Sequence, residues 1–143
     1  MKKKLNLQYL FSYFGLIPYF FILINNYFLL QIEQEIILNF SIYYTHLIFV
    51  FIGSINWSFE YRVSNFIAFY GFLPSFLSVI IIILNLSNFD FKTIIVIIII
   101  ILFLQLILDY IIIYYNKNFK NYFYYLRLPL TLIICFSLSL LIV

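Results

Sequence analysis

Charged residues are scarce in this sequence: Lys, Arg, Asp and Glu make up 9% of its 143 residues, whereas 66% of the residues are hydrophobic. A soluble domain carries about 25% charged residues and fewer than half apolar ones. The composition therefore excludes a soluble globular protein and indicates an integral membrane protein. One transmembrane helix needs about 20 apolar residues, so five helices would use most of the chain and leave no soluble domain.

Side chains that carry chemistry are equally rare. The single cysteine, Cys135, cannot form an internal disulfide, and its apolar surroundings favour a small buried or lipid-facing side chain. The sequence has no phosphate-binding glycine loop, no Cys/His spacing typical of a metal site and no Ser/His/Asp set. We therefore predict no catalytic residues and no metal ligands, and we favour a non-catalytic protein over an enzyme.

The net charge of +3 is small and scattered. The only basic run, Lys2 to Lys4, is typical of a topology signal rather than of a phosphate-binding patch, so we predict no nucleic-acid partner. The apolar segment that follows is too long for a signal peptide and lacks an Ala-x-Ala-type site, so no cleavable targeting segment is expected. The excess of Ile, Phe, Tyr and Asn over Ala indicates an AT-rich genome. The predicted location is the mitochondrial inner membrane or the cytoplasmic membrane of a bacterium with such a genome.

The long apolar runs predict an all-α membrane protein, a single domain of five transmembrane helices over residues 1–143. Membrane strands alternate apolar and polar residues, and these runs do not. The predicted spans are 9–30, 37–59, 65–86, 91–115 and 124–143. Pro18 should kink the first span, Gly53 and Ser54 should let a neighbouring helix approach closely, and Pro129 should lie near the start of the fifth span. Ser87 or Asn88 is the expected cap of the fourth span.

The basic residues predict the orientation of the five spans. Seven of the eight Lys and Arg residues would lie on the same side as the amino terminus, namely Lys2, Lys3, Lys4, Arg62, Lys117, Lys120 and Arg127, and only Lys92 on the other. Positively charged loops stay on the cytoplasmic or matrix side. We therefore expect the amino terminus inside and the carboxyl terminus outside.

Gln105 and Asp109 interrupt the longest apolar run, and their spacing of four places them on one face of a helix. A carboxylate inside the membrane is costly and normally faces a partner. Arg127, at the mouth of the fifth span, should lie at nearly the same depth, so we predict an Asp109–Arg127 pair, with Glu60 and Arg62 as nearby alternative partners. The expected inner-side polar cluster is completed by Asn56, Trp57, Glu60 and Arg62. The simpler interpretation is a salt bridge that fixes helix register, and the alternative is a site that receives a quinone head group, a proton or a partner's charge.

His46, about three turns from the outer end of the second span, is the candidate cofactor ligand. A buried imidazole can ligate haem, but it is the only histidine, so a second axial ligand would have to come from another subunit. The simpler interpretation is a hydrogen bond to a carbonyl or a Tyr hydroxyl of a neighbouring helix. No cofactor is predicted outright, and haem and quinone remain alternatives.

Five short motifs occur in a characteristic order. They are Gly15-Leu-Ile-Pro18, Phe51-Ile-Gly-Ser-Ile-Asn-Trp57, Leu73-Pro-Ser-Phe-Leu77, Leu104-Gln-Leu-Ile-Leu-Asp109 and Leu126-Arg-Leu-Pro-Leu-Thr131. Their order and spacing resemble those of the transmembrane protein 69 family, domain of unknown function 3429, found in bacteria and mitochondria. The resemblance implies a five-helix inner-membrane protein and no catalytic residues. The sequence departs from it at Asn56, where a basic residue or His is expected, and at Tyr110, where Arg is expected.

The first functional hypothesis is a non-catalytic accessory subunit or assembly component of an inner-membrane complex, most directly of the mitochondrial respiratory chain. Its partners would be the lipid bilayer and other membrane subunits. The second is a quinone- or haem-binding anchor of an oxidoreductase such as succinate dehydrogenase. This anchor would use His46, or Trp57, Arg62, Asp109 and Tyr110. A small transporter is the third, although no internal repeat of the kind common in transporters is visible.

Overall fold

The computed structural model describes residues 7–28, 32–54, 65–87, 89–115 and 120–142. Its helices are α1 (Leu7–Phe14), α2 (Ile17–Phe28), α3 (Gln34–Ser54), α4 (Asn65–Leu86), α5 (Phe91–Tyr115), α6 (Lys120–Tyr122) and α7 (Leu128–Leu140), with a π-helical turn (Phe123–Arg127) between the last two. Within these described ranges no residue forms a strand, so the prediction of an all-α protein is confirmed.

Four helical segments are long and apolar enough to cross a membrane: Gln34–Ser54, Asn65–Leu86, Phe91–Ile112 and Lys120–Leu140. They correspond to the predicted spans two to five and support an integral membrane location. The last segment, α6 through α7, is called the C-terminal helix below. It begins at Lys120, before the predicted start at residue 124. The predicted end of span two, residues 55–59, lies outside the described residues.

The first predicted span is interrupted rather than continuous. α1 ends at Phe14 and α2 begins at Ile17, with a turn at Gly15 and Leu16 between them. The Leu16 carbonyl accepts hydrogen bonds from the amides of Tyr19 and Phe20, as the first turn of a new helix requires. Pro18 is tolerated there because amides in the first helical turn have no partner within the helix. The kink predicted at Pro18 is therefore a break just before it.

The chain forms two compact units. The terminal unit contains Met1–Gln34 and Ile95–Val143, and the central unit contains Glu35–Ile94. In the terminal unit α2 packs against α7. Leu16, just before α2, and Tyr19 and Ile22 on α2 are buried at a spacing of three, which is the repeat that keeps side chains on one helical face.

The central unit contains the antiparallel helices α3 and α4, which are joined by a close contact near one end and by hydrogen bonds near the other. A Cβ atom on Gly53 would lie 2.7 Å from Pro74 Cγ and 2.8 Å from the Gly71 carbonyl oxygen. Toward the other end, the Asn85 side-chain amide donates to Asn39 Oδ1 at 3.0 Å and to the Tyr43 hydroxyl at 3.2 Å. Small residues and interhelical hydrogen bonds are the usual means of packing helices in lipid. The close approach predicted at Gly53 is confirmed.

The start of α5 is capped by Asp90, so the prediction of Ser87 as the cap is wrong, and Asn88 lies outside the described residues. Asp90 Oδ2 accepts hydrogen bonds from the Thr93 amide and the Thr93 hydroxyl, each at 3.1 Å. The Ser87 hydroxyl instead donates to the Ile83 carbonyl at the end of α4. Asp is a preferred cap because its carboxylate accepts from an amide that has no partner in the helix.

Replacing Gly53 with alanine should destabilise the central unit. The new methyl group would overlap Pro74 and the backbone of Gly71, and overpacking of this kind costs about 1–3 kcal/mol. Ser54→Ala is the matched control, because Ser54 is exposed and its hydroxyl bonds only within its own helix, to Phe51. The measurement is unfolding of the purified protein in mixed micelles. Equal unfolding midpoints for Gly53→Ala and Ser54→Ala would contradict the close packing.

Candidate functional site

From Ile95 onward, one face of α5 is buried within the terminal unit. This face ends in polar residues near the carboxyl end of the helix. Ile95, Ile98, Leu102 and Gln105 are each at most 4% exposed, and they recur every three or four residues. This is the spacing of a single helical face. Asp109, one turn beyond Gln105, continues that face with a side chain that is 13% exposed. The sequence around Asp109 therefore turns its carboxylate toward protein rather than toward lipid.

Arg127 joins these two side chains to the C-terminal helix. Its Nε donates to Asp109 Oδ2 at 2.5 Å, and its Nη2 donates to Gln105 Oε1 at 2.7 Å. Arg127 is the largest of the fully buried side chains in the described part of the chain, with 2% exposure. The predicted Asp109–Arg127 pair is confirmed as a contact, and Gln105 belongs to the same network.

The network suits a low-dielectric interior because the positive charge is both balanced and hydrogen-bonded. Removing two charges from water costs several kcal/mol per ion, and their attraction offsets this cost only when geometry and additional hydrogen bonds are good. The guanidinium group supplies donors in a rigid planar fork, which a lysine cannot imitate. Here one donor neutralises the carboxylate and another satisfies the neighbouring amide oxygen. The arrangement fixes the register of α5 against the C-terminal helix.

A π-helical turn carries Arg127, and Pro129 explains why it occurs there. Pro129 is the second residue of α7, near the start of that helix as predicted. Because α7 continues the C-terminal helix, which begins at Lys120, the proline also lies inside a longer helix. A proline in a helix interior has no amide to donate, and its ring clashes with the carbonyl four residues earlier, here that of Tyr125. A π-helical turn is a common way to accommodate such a clash. The amide of Leu128 accordingly bonds to the carbonyl of Phe123, five residues back.

In a regular α-helix the Tyr125 carbonyl would accept a hydrogen bond from the amide of residue 129, which is a proline here. The carbonyl instead accepts a hydrogen bond from another helix. The Tyr13 hydroxyl in α1 donates to this carbonyl at 2.6 Å. An unpaired carbonyl in hydrocarbon costs several kcal/mol, so the tyrosine stabilises the irregular turn. Close to the ion pair, the rings of Tyr110 and Phe123 pack with centroids 5.7 Å apart. The π-helical turn is thus held by α1 through Tyr13 and by α5 through Tyr110 and Asp109.

His46, the candidate haem ligand, lies in the middle of α3 and is 4% exposed. Its Nε2 atom is buried and has no hydrogen-bond partner in the structure as described, so the expected bond from this atom to a neighbouring carbonyl or tyrosine is not formed. Two buried hydroxyl groups of α3, by contrast, form hydrogen bonds within the helix. Ser41 donates to the Ile37 carbonyl, and Thr45 donates to the Ser41 carbonyl. Haem ligation by His46 stays a prediction.

The other members of the predicted polar cluster lie outside the described residues: Asn56, Trp57, Glu60 and Arg62. Their place beside Asp109 stays a prediction. Among the residues that are described, no three His, Cys, Asp or Glu side chains are grouped so that they would hold a metal ion. The Asn39–Asn85 contact was not predicted from the sequence. A signal for it existed, because both are amide side chains within apolar helices, where a polar group needs a partner.

Asp109→Ala should destabilise the protein far more than Asp90→Ala. The first change leaves a buried arginine without its counterion, which costs about 3–5 kcal/mol, whereas the second removes an exposed cap worth about 1 kcal/mol. Replacing both charges, as Asp109→Leu with Arg127→Met, should recover most of the loss because no unpaired charge remains. The measurements are membrane expression level and unfolding midpoint. A double variant no more stable than Asp109→Ala would show that the charges do not act as a pair.

Tyr13→Phe and Pro129→Ala should interact in a double-mutant cycle. In the native chain Tyr13→Phe removes the donor to the Tyr125 carbonyl, at a cost of about 1 kcal/mol. With alanine at position 129, the new amide can donate a hydrogen bond to that carbonyl. Tyr13→Phe should therefore destabilise the Pro129→Ala protein less than it destabilises the native protein. Tyr124→Phe is the control because Tyr124 neighbours the same carbonyl but has an exposed ring. Purely additive effects on stability would contradict the link between the proline and the tyrosine.

No model of a protein family matches the sequence, and neither the curated proteins nor the solved structures contain a significant match. Two features stand out: the Arg127 network in the terminal unit and the buried imidazole of His46 in the central unit.

Proposed function

We propose that this chain is a non-catalytic accessory subunit or assembly component of a larger complex in an inner membrane. The observation that carries the proposal is that the buried charge of Arg127 is bonded to other side chains of the same chain. Arg127 is 2% exposed and is bonded to Asp109 and Gln105 within the same unit. A charge used in this way holds helices together and is not presented to a substrate.

The outward surface of the spanning helices supports the same proposal. In α4 and α5, 28% of the residues in the most apolar stretch are buried within the chain. One face of α4 carries a row of large side chains that are between 47% and 63% exposed: Phe66, Phe69, Phe72, Phe76, Val79 and Ile83. Such a face is covered either by lipid or by helices of partner subunits. Aromatic side chains are enriched where proteins meet, and we propose that partner helices cover part of this row.

The topology that we propose has five passes, with α1 and α2 together forming the first and the amino terminus inside. Six of the seven basic residues assigned to the inner side support this orientation. The seventh, Arg127, does not count as a loop charge because it is buried. The contact between the end of α5 and the start of the C-terminal helix supports an antiparallel hairpin with its turn on that side.

Membership of the transmembrane protein 69 family is part of the proposal, and contacts between its motifs support it. Gly53 of the second motif meets Pro74 of the third. Gln105 and Asp109 of the fourth motif bond to Arg127 of the fifth. The motif residues are thus helix-packing residues, which agrees with a role in assembly. The mitochondrial inner membrane is the proposed location, and the bacterial cytoplasmic membrane is the alternative.

The second candidate function, a quinone- or haem-binding membrane anchor of an oxidoreductase, is favoured by one observation. His46 Nε2 is buried and, as far as the described residues extend, has no hydrogen-bond partner. An imidazole nitrogen in that state is available to a ligand. This candidate predicts a redox-active absorbance spectrum that changes when His46 is replaced.

The test of the first candidate is the mobility of the tagged chain on a blue-native gel of mildly solubilised source membranes. We expect a band far larger than the 17.3 kDa chain, with the same partner polypeptides found by mass spectrometry in each preparation. Asp109→Ala should lose this band, because α5 and the C-terminal helix are no longer held in register, and Asp90→Ala should keep it.

Two outcomes of this experiment would count against an accessory role. One is migration of the native chain alone with no partner polypeptide. The other is a haem or quinone that co-purifies with the isolated chain and is lost on replacing His46, which would favour the anchor.

A further inference from the structure

We infer that His46 and Ser78 form a buried site in the α3–α4 interface that binds one water molecule. Each residue is 4% exposed. The His46 Nε2 and Ser78 Oγ atoms are buried, and neither has a hydrogen-bond partner in the part of the chain that the structure describes. The site belongs to the central unit alone and does not depend on the function proposed for the whole chain.

The register of α3 and α4 brings these two residues to the same level. Counting seven residues forward from Asn39 gives His46, and counting seven back from its hydrogen-bond partner Asn85 gives Ser78. At the opposite end Gly53 meets both Gly71 and Pro74. Seven residues back from Gly53 is His46, and seven forward from Gly71 and Pro74 are Ser78 and Ile81, which are one turn apart. Seven residues are nearly two helical turns, so each count returns to the same helical face. His46 and Ser78 therefore lie within about one turn of the same level, midway between two contacts of the interface.

Ser78 does not use the local bond that satisfies other helical hydroxyl groups. Ser41 and Thr45 donate to carbonyls four residues earlier in α3, and Ser87 does the same at the end of α4. The Ser78 hydroxyl is buried without such a bond. A buried polar group without a partner is destabilising, all the more where lipid replaces water around the helices. The free energy lost at His46 and at Ser78 is recovered by a third group that bonds to both.

The flanking contacts limit the size of that group. The contacts at Asn39–Asn85 and at Gly53–Gly71 each lie about 10 Å along the helix axis from the level of His46. Short amide side chains meet at one, and backbones come close at the other. Close contacts on both sides leave little room between the helices for a porphyrin or a quinone ring, which counts against the second candidate function. A water molecule fits, because it needs only about 30 Å³ and two to four polar partners.

Water also has the right hydrogen-bonding chemistry. A neutral imidazole offers one donor and one acceptor nitrogen, and a serine hydroxyl can donate or accept. A water molecule can donate to one of these groups and accept from the other in either tautomer of the histidine, with no charge transferred. The bridged pair then becomes a third contact between α3 and α4. The three contacts follow one another at intervals of two turns.

The experiment uses the full chain labelled with ¹⁵N-histidine and reconstituted into phospholipid vesicles. His46 is the only histidine, so solid-state NMR gives a single imidazole signal set without further assignment. Proton magnetisation is transferred from water to the ring nitrogens. We expect rapid transfer to Nε2 in the native chain although the residue is buried, and loss of that transfer with a shift of the Nε2 resonance in Ser78→Ala.

Ser87→Ala is the matched control, because Ser87 is an exposed serine that directly follows α4 and donates to the Ile83 carbonyl of that helix. It should leave both the transfer and the shift unchanged. Absence of transfer in the native chain would overturn the inference without any variant. So would transfer that persists unchanged in Ser78→Ala. NMR contacts between His46 and carbon atoms of quinone or haem, in labelled protein isolated from native membranes, would show that the larger ligand occupies the site. This result would also overturn the inference.

Discussion

The ion pair between Arg127 and Asp109 is the constraint on which the terminal unit depends. In hydrocarbon neither charge is tolerable without the other, so the face of α5 that carries Asp109 and the turn that carries Arg127 have a single acceptable relative position. Gln105 narrows this position further by accepting from the second arm of the guanidinium group. The apolar residues of α5 pack in a register that these polar residues have already selected.

In the central unit the relative position of the helices is fixed without a charged pair. Its two helices approach closely at Gly53, where any side chain would collide with Pro74, and are tied at Asn85 by amide hydrogen bonds. Burying apolar side chains gives little net driving force between helices that already lie in lipid, so close packing and polar contacts decide which faces meet. This explains why Asn85, Gln105 and Arg127 are buried at helix contacts.

Much of this arrangement follows from the sequence, and the exceptions share a physical cause. The helices follow from uninterrupted apolar runs, and the Asp109–Arg127 contact follows from placing each residue at its depth on a regular α-helix. The irregular elements do not follow from that procedure. Pro129 is compatible with either a helix start or a π-helical turn inside a longer helix. The turn is identified by the bond from the Leu128 amide to the Phe123 carbonyl, and the Tyr125 carbonyl is bonded by Tyr13, 112 residues away in the chain. The missing bond at His46 was likewise invisible, because it depends on what α4 offers at that level.

The separation of the two partners in the chain has a consequence for biogenesis. Asp109 and Arg127 are 18 residues apart, so at the usual rate of translation the arginine follows the aspartate by about 1–4 s. During that interval α5 contains a carboxylate with no counterion, and it cannot settle alone in the lipid at low cost. We therefore expect α5 and the C-terminal helix to leave the insertion machinery together, after synthesis of the C-terminal helix has begun.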